Sequence, residues 1–258
     1  VVTASELAQH RHPGDPLAPL PERARAALAD HDLQGALEQM SRRFALGRRI
    51  AMAESGMDAL RERGTDIRRG GVAELRANLE QLEASLQRVG AQVHHADSAA
   101  MAVAIIGRIA EQHGVRRVVK SKSMATEEID LNFHLEGRGI EVVETDLGEW
   151  IVQEARERPS HIIAPAIHKT RPQVTRLFSK IAGRELPDRR EDLCAFAQEV
   201  LREAFLTADM GITGVNFACA DTGTIVLVTN EGNGRMSTSL PRIHIALMPV
   251  EKVLPHFS

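Results

Sequence analysis

Beyond Gly90 the chain alternates short apolar runs with segments of helical length and amphipathic pattern, and this alternation is the strongest constraint on its fold. It predicts strands over Gln92–Ala96, Arg117–Lys120, Glu141–Thr145 and His161–Ala164. Helices are predicted over Ser98–His113, Thr126–Glu136, Leu147–Glu157 and Thr170–Ile181. Such a series predicts a three-layer α/β domain over residues 91–258, a sheet with helices on both faces. In βα units the carboxyl ends of the strands gather at one edge, so the loops after residues 120, 145 and 165 are expected to converge.

Ahead of this domain the pattern is helical from residue 22 to residue 90. Leu75, Leu79, Leu82, Leu86 and Val89 form a stripe that must pack against something, read here as an intramolecular helical hairpin. Gly70-Gly71 is expected to separate that helix from arginine-rich helices before it. Residues 1–21 hold Pro13, Pro16, Pro19 and Pro21 with few large apolar residues, which predicts an extended arm. After Pro187 a helix is predicted over Glu191–Ala208. A hairpin follows, Val215–Ala220 and Thr224–Thr229 around Asp221-Thr222-Gly223, then a glycine-rich loop over residues 230–239 and a last strand, Ile243–Met248.

A chain of 258 residues with 43% hydrophobic content can bury a substantial core. Its formal charge of -3 supplies no general attraction for polyanions, so no nucleic-acid partner is expected. No apolar run is long enough to span a bilayer and the start lacks the order of a secretion signal, so a cytoplasmic protein is expected. Cys194 and Cys219 form no Cys-x-x-Cys pair and the histidines show no ligand spacing, so no metal site is expected in this chain. Cys194, within an apolar helical pattern, reads as a small core residue.

The candidate chemistry lies at strand ends. The sequence has five lysines, and three of them stand at two such ends, Lys120 with Lys122 and Lys169 after His168. Lys120, Ser121, Lys122 and Ser123 lead into a predicted helix, where exposed backbone N–H groups and the helix dipole favour an anion. Ser123 also reads simply as a helix cap. Glu144 ends another strand as a candidate proton-transfer group, whereas Asp146 fits a cap. His168 is a candidate acid or base and Lys169 a candidate anion ligand; both also read as exposed loop residues at a helix start. Gly232, Asn233, Gly234 and Arg235 offer close backbone approach and a guanidinium for a carboxylate or phosphate, and Thr222, Gly223 and Thr224 offer hydroxyls or merely a turn. No dinucleotide or Walker fingerprint is present.

Five segments taken in order carry a resemblance: residues 120–129 (KSKSMATEEI), 141–149 (EVVETDLGE), 163–169 (IAPAIHK), 208–214 (ADMGITG) and 221–235 (DTGTIVLVTNEGNGR). They resemble the lactate utilization protein B family, the iron-sulfur subunits of a bacterial L-lactate oxidation system, whose main domain is of the lactate-utilization (LUD) type. The resemblance spans about residues 40–258. It implies a fold like the sugar-phosphate isomerase and coenzyme A transferase group, and a role in oxidising L-lactate to pyruvate alongside partner subunits of that system. It also implies 4Fe-4S clusters held by clustered cysteines in a ferredoxin-like region after this domain. This chain has no such cysteines and is expected to be a piece of the longer protein, with no cofactor of its own. Two other readings stay open. One is a non-catalytic scaffold that binds partner subunits through its helical N-terminal part, a reading the leucine stripe supports if it is exposed. The other is a sugar-phosphate isomerase or acyl-transfer enzyme with Glu231 or Glu144 as nucleophile.

Overall fold

Four short strands form a parallel sheet in which a buried valine pair lies on one of the two central strands. The computed structural model describes residues 20–54, 56–157, 159–162 and 164–257. The expected arm at residues 1–21 lies almost wholly outside them; Leu20 and Pro21 already begin a helix, Leu20–Ala29. The chain divides into two compact units, each described by itself. One comprises Met52–Asp146 and Glu199–Ser258, and the other Leu147–Gln198 with the residues up to Ala51.

In the first unit, strands β1 (Arg117–Lys120), β2 (Glu141–Glu144), β3 (Met210–Gly214) and β6 (Ile243–Leu247) are all parallel, in the order β2-β1-β3-β6. The chain leaves β1 toward β2 on one side, while β3 sits on the other side and leads to β6. Right-handed crossovers in opposite directions put their helices on opposite faces. The helices Met124–Glu128 and Leu131–Glu136 accordingly cover one face. Together with the Ala99–Gln112 helix, Leu131 and Leu135 bury Val118, Val142, Met210 and Ile212. The Asn233–Ser239 helix covers the other face. There Gly211 is required by space, since a Cβ on it would lie 1.8 Å from the Ser237 carbonyl oxygen. The sheet flanked by helices on both faces is the expected three-layer α/β arrangement.

A second, smaller sheet pairs β4 (Phe217–Cys219) antiparallel to β5 (Thr224–Val226) and parallel to β7 (Val253–Leu254), in the order β5-β4-β7. The predicted hairpin is present. Leu75, Leu79, Leu82 and Leu86, from the Leu75–Arg88 helix, pack on this sheet against Val215, Ala218, Ala220 and Val253. The stripe is therefore internal to the unit, covering a sheet rather than a helical hairpin, and only Val89 at its end is exposed.

Several expectations fail for identifiable reasons. Residues 92–96 form no strand: they are largely exposed and the sheet offers them no partner. At the expected strand over residues 161–164, His161 and Ile162 form bends and Ala164 is irregular, because Pro159 and Pro165 bracket them and the Ser160 N–H donates to the Pro165 carbonyl (3.0 Å), turning the chain back. The predicted Thr126–Glu136 helix breaks at Asp130, whose φ is 49°. Gly70-Gly71 does not separate helices; both lie inside the Met57–Ala73 helix, where the missing side chain of Gly71 lets it approach the Val253 carbonyl. Residues 233–239, expected as loop, form a helix entered through Gly232 at φ 81°.

The start of the sheet is tied by a residue the sequence did not single out. One carboxylate oxygen of Asp209 accepts from the backbone N–H groups of Arg116 (2.8 Å) and Arg117 (3.1 Å), fastening the entry of β3 to that of β1. The Arg116 backbone hydrogen bond, outweighing partial burial, holds this carboxyl below the usual range. Its stabilisation is thus present above the ordinary carboxylate value of about 3.9 and disappears as pH falls through the lowered one. Asp209→Asn is expected to cost about 1 kcal/mol at neutral pH, with the difference from wild type in urea titrations shrinking as pH falls below the ordinary carboxylate range. Gly211→Ala is expected to lower stability by about 3 kcal/mol, read as a lower urea midpoint with an unchanged slope.

Candidate functional site

Register decides which side chains meet at the carboxyl edge. Lys120 is the partner of Glu144 in the β1–β2 ladder, so both point to the same face at the same level. Their side chains are 1% and 8% exposed, and Lys120 Nζ lies 2.9 Å from Glu144 Oε1. Lys120 Nζ also donates to Thr126 Oγ1 (3.0 Å), and Asn132 Nδ2 donates to the same Glu144 oxygen (2.7 Å). A buried ion pair needs such added hydrogen bonds, because desolvation otherwise outweighs the attraction of the two charges. Strand and helix supply them together: Thr126 and Asn132 come from the two short helices that follow β1.

The turn after β1 is bound to both neighbouring strands. Thr145 donates from N and Oγ1 to the Lys120 carbonyl (3.0 and 2.9 Å), and the Ser121 N–H donates to the Ile212 carbonyl (3.0 Å). Ser123 is the expected cap, its Oγ accepting from the Thr126 N–H at 3.3 Å. Its side chain fills the space beside Gly214, where a Cβ would come within 2.6 Å of the hydroxyl. Between β1 and β3, where the order of connection reverses, the edge of an open parallel sheet carries its natural binding crevice. Ser121 and Lys122 stand there half-buried. The Asn233–Ser239 helix belongs to a β3-to-β6 crossover and runs against the strands, so its Gly232–Asn233 start also lies toward this edge. Asn233 and Gly234 are buried and Arg235 is exposed.

The remaining candidates are placed elsewhere. Thr222, Gly223 and Thr224 form the β4–β5 turn in the small sheet. Thr222 Oγ1 accepts from the Thr224 N–H (3.2 Å), and Gly223, at φ 72°, lies against the backbone of Ser85 and Leu86. Glu231 is exposed. Glu144, inside its ion pair, is not poised as the nucleophile that an acyl-transfer reading requires. Cys194 is exposed rather than a core residue, because its position on the Arg190–Thr207 helix falls outside the buried stripe. Burial, with Asp221 nearby, pushes the Cys219 thiol up and makes it unreactive.

His168 and Lys169 belong to the other unit, the one containing Leu147–Gln198. The Leu147–Glu154 helix ends with Arg156 in the left-handed region (φ 54°), and the Glu157 N–H donates back to the Val152 carbonyl (3.0 Å). This sets the Glu157 carboxylate against His168 Nε2 at 2.6 Å and against the Lys169 ammonium. His168 Nδ1 lies 2.5 Å from Ser160 Oγ. Burial alone would raise the Glu157 carboxyl, but hydrogen bonds and charge from Lys169 and His168 together hold it below its ordinary range. The signal that pointed to His168 and Lys169 was their place at a helix start. Ser160 and Glu157 carried none, since neither stands at a predicted strand end.

The residues present do not fit an iron-sulfur cluster. Such a cluster needs several converging thiolates, whereas Cys194 and Cys219 lie on a helix and on a strand of different units. No group of three or more His, Cys, Asp or Glu among the described residues could hold a metal ion. No helix among them is long and apolar enough to cross a membrane.

The LUD domain family matches residues 79–258. Lactate utilization protein B of Bacillus pumilus is 44% identical over 91% of the chain, and that of Bacillus subtilis 40% identical over 92%. An uncharacterized electron transport protein, YkgF, of Escherichia coli is 41% identical over 92% of the chain. The chain spans about half the length of these relatives, 50% in each case. No solved structure matches it, and the likeness to the isomerase and transferase group rests on the sequence resemblance.

Breaking the Lys120–Glu144 pair tests the foundation of the edge. Lys120→Met is expected to destabilise the chain by about 3–5 kcal/mol, since it strands a buried carboxylate. Combining it with Glu144→Gln is expected to restore much of that loss, giving a strongly non-additive double-mutant cycle in urea titration.

Proposed function

Because the chain belongs to the LUD-domain family, we propose that it is the LUD domain of a lactate-utilization protein and holds a small carboxylate or phosphate-bearing ligand at the carboxyl edge of its parallel sheet. In this reading it works in the cytoplasm within an L-lactate oxidation complex, beside other lactate-utilization subunits. Electrons pass through an iron-sulfur region that is not part of this chain. The observation that carries the reading is the reversal of strand order between β1 and β3, which gathers Ser121, Lys122, Gly214 and the start of the Asn233–Ser239 helix on one edge.

The roles divide by burial. Lys120 and Glu144 neutralise each other and hold the β1 turn in place. Lys122, with backbone N–H groups of the turn, and Arg235, at the head of the following crossover helix, supply positive charge to an anionic ligand. A ligand carboxylate is oriented by such groups without any redox step inside the unit. The names of the relatives support the lactate assignment, since lactate utilization and electron transport are what those proteins are named for.

The binding role is tested by calorimetric titration of L-lactate, pyruvate and phosphate-bearing cofactors against wild type, Lys122→Ala and Arg235→Ala. At least one ligand is expected to bind wild type and to lose about tenfold in affinity in each variant, the loss of one charge-assisted hydrogen bond. Identical affinities in all three proteins would remove the anion site.

A further inference from the structure

The segment from Glu157 to Thr170 joins two helices of one unit, Leu147–Glu154 and Arg171–Ala182, and its own hydrogen bonds pin it. Besides the Ser160–Pro165 bond, the Ile167 N–H donates to the Ala164 carbonyl (3.1 Å), the Lys169 N–H to the Ala166 carbonyl (2.9 Å), and the Ala164 N–H to His161 Nδ1 (3.3 Å). Gln173 Oε1 accepts from the Thr170 N–H (2.7 Å) and closes the far end as a capping box. A loop fixed in this way holds side chains in defined positions.

Three of those side chains stand in series. The Glu157 carboxylate, kept ionised beside Lys169, accepts the Nε2–H of His168 at 2.6 Å, which leaves the Nδ1 lone pair facing the Ser160 hydroxyl at 2.5 Å. This is the logic by which an acid orients a neutral imidazole and the imidazole takes a proton from an alcohol. The two ring nitrogens exchange their usual partners, which does not matter to the chemistry: one N–H must be committed and the other lone pair must face the hydroxyl. The imidazole is the most covered of the three, and the serine is open to solvent. His168 and Lys169 are mostly covered, at 19% and 17%, Glu157 is intermediate, and Ser160 is exposed to an incoming molecule. A serine serving only to pin the loop would be expected to bond a backbone group, as Ser85 does with Ala220 in the other unit.

We propose that Ser160 is a nucleophile activated by His168 and Glu157, and that it accepts a small acyl group from an activated ester or thioester. Ser160 Oγ forms a bond to the acyl carbon while its proton passes to His168 Nδ1. The carbon–oxygen or carbon–sulfur bond of the donor breaks, and the same proton goes to the departing alcohol or thiol. Water then attacks the acyl-serine with His168 again taking a proton, the carboxylic acid leaves, and Ser160 recovers its hydrogen. No oxidant or metal enters. The assignment uses no residue of the unit that carries the proposed anion site, so either can fail without the other. It also relocates the acyl-transfer reading from Glu144 and Glu231 to a serine.

The whole chain is incubated with a fluorophosphonate probe, with p-nitrophenyl acetate and with an acetyl thioester, and adducts are located by peptide mass spectrometry. Wild type is expected to carry the phosphonyl group on Ser160 and to release p-nitrophenol faster than Ser160→Ala. His168→Asn is expected to label at least about 100-fold more slowly, and Glu157→Gln to fall between. An acetyl adduct from the thioester alone or the ester alone assigns the donor class. Trp150, the single tryptophan, packs 5.0 Å from Phe178 in the same unit, so its fluorescence reports whether each variant keeps its fold. For a variant that does not, the comparison is native against urea-unfolded wild type. Labelling spread over other serines, or a Ser160 rate equal to that of the unfolded chain or of a folded His168→Asn, would overturn the proposal.

Discussion

A lysine and a glutamate brought out of water at the same level of two neighbouring parallel strands govern how the edge of this sheet is built. Separately, neither charge is tolerated in such a place; together, with Thr126 accepting from the lysine and Asn132 donating to one oxygen of the carboxylate, they become part of the interior. The geometry fixes more than two side chains. Holding Lys120 inward turns the chain at Ser121, and the bonds from Ser121 to Ile212 and from Thr145 to Lys120 lock that turn to the strands on either side. The carboxyl edge between β1 and β3 thus depends on a charge pair that is itself withdrawn from solvent.

The rest of the α/β unit follows from the same sheet. Opposite crossovers from β1 and from β3 send helices to opposite faces, and the missing side chain at Gly211 allows the Asn233–Ser239 helix to lie directly on its face. The leucine stripe of the Leu75–Arg88 helix closes a second, smaller sheet. With the stripe packed there, the observation that would have favoured a partner-binding scaffold is gone, while membership of the LUD-domain family does not depend on it.

In the other unit the governing device is a single carboxylate. Glu157 gathers His168 and Lys169, and the imidazole passes its orientation on to Ser160. Trp150, Phe178 and Phe196 pack as a tilted aromatic cluster in the same unit, with ring centroids 5.0 to 6.4 Å apart. Such rings contribute large apolar burial with few rotatable bonds. The loop between the Leu147–Glu154 and Arg171–Ala182 helices is therefore flanked by helices that pack through Trp150 and Phe178.

Periodicity in the sequence was enough for β1, for the Ala99–Gln112 helix and for the hairpin around Gly223, because local pattern and local geometry agree there. Residues 92–96 and the described positions among 161–164 have strand-like composition and form no strand, since a strand needs a neighbour and only the folded sheet supplies one. The sequence by itself determined that Lys120 and Glu144 stand at strand ends and that His168 comes shortly before a helix. Only the tertiary structure decided that the first two neutralise each other, that Asp209 ties two strand entries, and that Ser160 and Glu157 flank His168. Those outcomes depend on strand register and on where a turn sends a side chain, and hydrophobic pattern carries neither.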